Sequence, residues 1–206
     1  MSIGKYVNPK TFALAEGPLC NGFMALGSVV YKAALQVADM DRHYYADHAL
    51  VLAQHPSETS ERMMVRLLAF ALHANEYLVF GQGLSNDEEP DLWIKDLTGA
   101  IQLWIEVGLP DEKWVRKACS RADEVIVYAY GRTADAWWAK HRAKLERLDN
   151  LTVYRLPVEQ SRDIGLLAKR SMQVQCTVQD QEAWLTDGDA AVRVVRETLT
   201  PKRKAG

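Results

Sequence analysis

The stretch Val125 to Tyr130, Val-Ile-Val-Tyr-Ala-Tyr, constrains the fold more than any other part of the chain. So short and so apolar a run reads as a strand buried on both faces, and such strands belong to parallel sheets covered by helices. Parallel pairing needs a crossover helix leading into the strand, and Asp111, just after Pro110, supplies a cap for one. The fold class is therefore α/β, a compact single domain with a mixed β-sheet.

The chain has 206 residues, 48% hydrophobic and 25% charged, enough for one full core and too few for two. The domain is expected over residues 24–198, between an N-terminal arm at 1–23 without helical or strand period and a basic, disordered tail at 199–206. Met24, immediately before a strand-like run, is a candidate second start site. In the arm, the apolar patch Phe12 to Ala15 is broken by Glu16, Gly17 and Pro18. It is too short for a signal h-region or a membrane span, so no membrane contact is expected. Cys20, Cys119 and Cys176 lie far apart and are odd in number, which argues against a disulfide framework or a structural zinc and for a reducing, cytoplasmic setting. A net charge of -2 excludes a general positive field, so any nucleic-acid contact would be local.

Alternation predicts a strand over Ser28 to Ala38, a turn at Asp39-Met40-Asp41-Arg42 and a returning strand over Tyr44 to Ala53. Tyr45, His48, Ala49 and Leu52 also fit helical spacing, so period alone leaves a helix open there. Ser57 is positioned to cap a helix whose apolar stripe is Met64, Leu67, Leu68, Ala71 and Leu72. A polar loop at Gly81 to Glu89 leads to a hairpin over Asp91 to Val107, turning at Thr98-Gly99. Beyond Tyr130 follow a helix through Trp137 and Leu145, a strand over Leu151 to Leu156, a helix over Glu159 to Arg170 and a last hairpin at Asp180-Gln181.

The Asp91–Val107 hairpin carries the chemistry. If its loop is Thr98 and Gly99, Asp91 falls directly opposite Glu106. Leu92, Ile94, Ile101, Leu103 and Ile105 then share a core face, while Asp91, Trp93, Lys95, Gln102, Trp104 and Glu106 share the other. Opposed carboxylates about 5 Å apart repel unless a cation or a proton lies between them. Two oxygen donors suit Mg²⁺ or Mn²⁺, which can activate a water against a phosphate. A register slip of one residue would bring Asp96 in place of Asp91. The five histidines show no metal-ligand spacing and none sits beside a plausible Ser or Cys nucleophile.

Pro90-Asp91, a gap of 14 residues and then Glu106, at the end of the apolar run Leu103-Trp104-Ile105, resembles the PD-(D/E)XK nuclease pattern. A longer resemblance spans roughly Met24 to Val195. Its blocks are Met40-Asp41-Arg42-His43-Tyr44-Tyr45, His55-Pro56-Ser57-Glu58-Thr59, Arg62 to Leu68, Lys95-Asp96-Leu97-Thr98-Gly99, Trp104-Ile105-Glu106 and Arg170-Ser171-Met172-Gln173, and together they resemble the YaeQ family. That resemblance implies a compact variant of the PD-(D/E)XK core, with the element order helix, three strands, helix, strand. It implies Asp91 and Glu106 as metal acids and admits Glu61, in the first helical turn, as a third. The family lysine expected two residues after Glu106 is Gly108 here. Lys113 is the preferred replacement. Lys117 and Lys95 are the alternatives, the latter about 13 Å from Asp91 by strand rise. Arg62, Lys95, Arg116 and Lys117 are candidate phosphate contacts, Arg42 and Arg66 could line the same groove if the fold brings them round the acids, and Glu58 is expected to pair with Arg62 on the surface at i to i+4.

Two functions stay open at this point. One is a Mg²⁺- or Mn²⁺-dependent phosphodiesterase or nuclease. The other is a binding or regulatory protein that keeps the nuclease fold without its chemistry and contacts a nucleic acid or a protein partner.

Overall fold

Apolar and polar residues alternate along Val29–Asp39 (β1) and Tyr44–Gln54 (β2), and the two pair as one antiparallel hairpin, which removes the helical alternative. The computed structural model describes residues 28–81 and 88–201. The arm at 1–23, most of the loop from Gly81 to Glu89 and the basic residues 202–206 lie outside them.

The remaining elements in chain order are α1 (Ser60–Leu72), β3 (Val79–Phe80), β4 (Leu92–Lys95), β5 (Ile101–Val107), α2 (Glu112–Cys119) and β6 (Ala122–Ala129). They continue with α3 (Ala134–Leu145), β7 (Leu151–Arg155), α4 (Val158–Leu166), β8 (Ser171–Gln179), β9 (Glu182–Thr186), β10 (Ala191–Val195) and β11 (Glu197–Thr198). The strands form two mixed sheets rather than one, in the orders β10-β9-β8-β1-β2 and β11-β7-β6-β5-β4-β3. The first closes through β1 and β8, which lie parallel although far apart in sequence.

In the second sheet β6 is parallel to both β5 and β7, as its apolar run demands. Ile126 and Tyr128 enter the core that holds α1, whereas Val125, Val127 and Ala129 pack under α2 and α3. α1 lies between the two sheets, and its residues from Met63 to Leu72 are all buried. The layers thus run from the first sheet through α1 and α4 to the second sheet and then α2 with α3.

Three local expectations are corrected. Thr59, not Ser57, caps α1 by accepting from the Arg62 amide, because Ser57 is engaged with the His55 ring in the preceding turn. The β4–β5 loop is longer than two residues: Lys95 pairs with Ile101, and Gln102 is left over as an exposed bulge. The Asp96 carboxylate holds this loop by accepting from the Thr98 amide and hydroxyl and from the Ala100 amide, and Gly99 takes the left-handed φ of 88°. The last helix stops at Leu166, before β8 begins at Ser171.

The Asp180-Gln181 turn is a two-residue hairpin with both φ values positive, and the Asp41 carboxylate accepts both of its amides. Leu199 and Thr200, at the start of the expected tail, pack onto β7. Among the described residues no helix is long and apolar enough to cross a membrane.

Candidate functional site

Leu92 pairs with Ile105 and Trp93 with Trp104, so the expected register holds where it matters for Asp91, the residue just before β4. The Val107 amide donates to Asp91 Oδ2 at 2.8 Å, which fixes the carboxylate beside the end of β5. Neither acid is open to solvent: Arg62 and Arg66 of α1 close over Asp91 and Trp114 of α2 over Glu106, leaving Asp91 2% exposed and Glu106 8%.

α1 supplies the counter-charges. Glu58 lies just before the Thr59 cap, and Arg62 and Arg66, four residues apart on one face of α1, both reach back to it. Arg62 Nη2 donates to Asp91 Oδ1 at 2.8 Å and Oδ2 at 2.9 Å, while Nη1 donates to Glu58 Oε1 at 3.0 Å. Arg66 grips Glu58 with both arms of its fork at 2.8 Å each and lies 3.9 Å from Asp91. The Glu58–Arg62 pair is therefore real but buried, not a surface pair.

Two guanidiniums balance Glu58 and Asp91, and Glu106 is the acid left over. Its Oε1 accepts from the indoles of Trp104 at 2.8 Å and Trp114 at 2.7 Å. Burial first, and the Asp91 charge second, push its carboxyl up to about 7 against the pull of those two donors and of Arg62. Burial also raises Asp91, opposed by Arg62, Arg66 and the Val107 amide. Burial works against the charge of Arg62, and Asp91 and Glu58 outweigh it and hold the guanidinium above its ordinary value.

The partly exposed side of this cluster is made by Arg62 and by Tyr130, which follows β6. Burial pushes the Tyr130 hydroxyl up to about 12, tempered by Arg62 and reinforced by Glu61, Glu58 and Asp91. The group is thus assembled at the C-terminal ends of the adjacent parallel strands β5 and β6, the ends at which open α/β sheets form ligand crevices.

The expected lysines are elsewhere. Lys113 is exposed on α2, and its neighbour Trp114 is the side chain that this helix delivers to Glu106. Lys95 lies over the Trp93 ring at 3.3 Å, Lys117 faces Glu88 at 3.6 Å, and Arg116 pairs with Glu112 at 3.5 Å. Glu61 accepts from Ser161 of α4 at 2.6 Å and backs onto Gly165 instead of joining the pair. Of the predicted site residues the fold brings together Asp91, Glu106 and Arg62. Arg66, a candidate phosphate contact, is in the cluster but locked to Glu58, and the members missed in the sequence are Glu58 as a site acid, Trp114 and Tyr130. The four-residue spacing of Glu58, Arg62 and Arg66 was the available signal for Glu58.

Carboxylate oxygens are the right donors for Mg²⁺ or Mn²⁺, but their arrangement does not fit such an ion. Asp91 has both oxygens on Arg62, and among the described residues no three His, Cys, Asp or Glu side chains are grouped to hold a metal. A guanidinium stands where a cation is needed.

The sequence profile described as YaeQ protein matches residues 24–196. The chain is 47% identical over 165 residues to the YaeQ protein of Salmonella typhi, a match covering 80% of this chain and 91% of that one. It is 46% identical, with the same coverage, to that of Escherichia coli (strain K12). The crystal structure of YaeQ protein from Xanthomonas axonopodis pv. citri superposes with a TM-score of 0.82 at 47% identity, over 85% of this chain and 99% of that one. That from Pseudomonas syringae gives 0.81 at 34% identity, over 86% and 98%.

Proposed function

The chain belongs to the YaeQ family, and from that footing we propose that its Glu106 centre is a phosphodiester-processing site of the nuclease kind. The order α1, β3, β4, β5, α2, β6 is read as the helix, three strands, helix, strand of the PD-(D/E)XK core. The observation that carries the reading is a buried carboxyl held at about 7 beside Arg62 and Asp91. Such a group is half ionised at neutral pH and is suited to moving a proton.

In this reading Arg62, at the solvent side, turns its guanidinium to a non-bridging phosphate oxygen. Glu106, held through its Oε1 by the two indoles, takes the proton of an attacking water as the water oxygen bonds to phosphorus and the bond to the leaving ester oxygen breaks, that oxygen taking a proton from solvent. Tyr130, protonated at neutral pH, can donate to a phosphate oxygen from the same side. No step is assigned to a metal.

The second reading, a binding protein without the chemistry, is favoured by one observation: both Asp91 oxygens are bonded to Arg62. The two readings separate when the purified protein is incubated with single- and double-stranded DNA and RNA, with Mn²⁺, with Mg²⁺ and with chelator. Cleavage lost in Glu106→Gln is expected. No cleavage that depends on Glu106, on any substrate, would leave the binding reading.

A further inference from the structure

The outer face of the first sheet has no helix or strand packed on it among the described residues, because α1 and α4 both lie on its inner side. Strand alternation sends every second side chain of β1, β2 and β8 to that outer face. They are Val, Ala, Tyr, Ser, Thr and Gln, apart from two charged residues, Lys32 and Asp47. Val30, Tyr45 and Val51 are among them and are 50%, 63% and 64% exposed. Neither Lys32 nor Asp47 has a salt-bridge partner among the described residues. A continuous face so poor in charge marks an interaction surface.

The face is self-complementary about one rung of the β1–β2 hairpin. Ala34 pairs with Ala49; the Lys32–Val51 rung lies two residues to one side and the Gln36–Asp47 rung two residues to the other. Two residues further out lie the Val30–Ala53 and Ala38–Tyr45 rungs. A two-fold axis running across the strands over Ala34 and Ala49 turns each rung onto its opposite. It carries Lys32 to the partner's Asp47 and Tyr45 to the partner's Val30 and Ala53, and it holds the two Lys32 positions about 13 Å apart along the strands. At the centre, Ala34 and Ala49 floor a shallow hollow of about 290 Å³ with Val51, Ser171 and Gln173, which allows a second sheet to approach to the roughly 10 Å of packed sheets.

We propose that this face is the interface of a symmetric homodimer, two copies stacked sheet on sheet with the Ala34–Ala49 rung on the axis. The cation and the anion of the face stand equally far from that rung, as a contact made by the same patch on both subunits requires, and this selects a second copy over an unrelated partner. The Glu106 centre belongs to the other sheet, beyond α1, so stacking leaves it open. Three strands of this length project to about 500 Å² per copy. That is the small end of stable interfaces, so the dimer is expected at micromolar protein.

Sedimentation velocity on the full chain, from nanomolar to about 100 μM, should show a monomer–dimer equilibrium. Ala34→Arg sets two like charges on the axis and should leave a monomer throughout, with the far-ultraviolet dichroism of wild type. Lys32→Glu and Asp47→Lys, each alone, should weaken the dimer about tenfold. Combined, they should restore wild-type affinity, because reversing both signs rebuilds the pairs. A wild-type chain that stays monomeric throughout overturns the dimer, whether the arm at residues 1–23 or an unrelated protein is what takes the face. So does a dimer that Ala34→Arg leaves intact, or a pair of single variants that the double does not rescue. If Ala34→Arg fails to fold, the charge-reversal set decides alone.

Discussion

Glu106 is one carboxylate more than the guanidiniums of its cluster neutralise, and the fold answers with burial, two indole donors and a proton. The linkage has a definite sign. Its carboxyl titrates at about 7 when folded, against an ordinary 4.5. Between these values the native state binds more protons than the unfolded chain, so stability is greatest below the lower value and falls as pH rises through the upper one. The difference corresponds to about 3 kcal/mol. Glu106→Gln should remove that decline, which denaturant unfolding across the same pH range would display; an unchanged profile would contradict the assignment. Trp114→Phe deletes one of the two donors to the ionised form. It should raise the Glu106 titration further, by about one unit for a lost charged hydrogen bond, and a fall in the NMR-monitored midpoint would refute that role.

At the scale of elements, α1 carries most of the site's electrostatics, and its Arg66 holds a carboxylate that has left water. Arg66→Met should cost about 3 to 5 kcal/mol in chemical denaturation, because Glu58 then loses its bidentate partner while buried. Glu58→Gln in the same background should recover part of the loss if the unpaired charge is the cause. The hairpins were legible because alternation and turn chemistry are local: β1 with β2, and the positive-φ pair Asp180-Gln181, follow from neighbouring residues. The Asp91–Glu106 adjacency was legible for the same reason. The burial of the two acids was not, since it depends on which helices the fold brings over them, α1 on Asp91 and α2 on Glu106. Gly108, two residues after Glu106, has φ of 114°, a conformation that a lysine side chain would strain. Gly108→Lys is thus expected to lower stability.

Over the whole molecule, two mixed sheets share one helix, and the acid cluster forms where the start of that helix meets the ends of β5 and β6. A single mixed sheet was the natural reading of the sequence, because nothing local announces that β1 pairs with the distant β8. Since α1 packs against both sheets, Leu68→Ala should cost about 2 to 5 kcal/mol and lower tryptophan fluorescence and far-ultraviolet dichroism transitions together. Transitions that separate would mean that the sheets unfold independently. All of this converges on the protonation of one side chain. Carbon-13 NMR titration of the Glu106 carboxyl in the folded protein should give a midpoint at about 7, and a midpoint at the ordinary 4.5 would contradict the account.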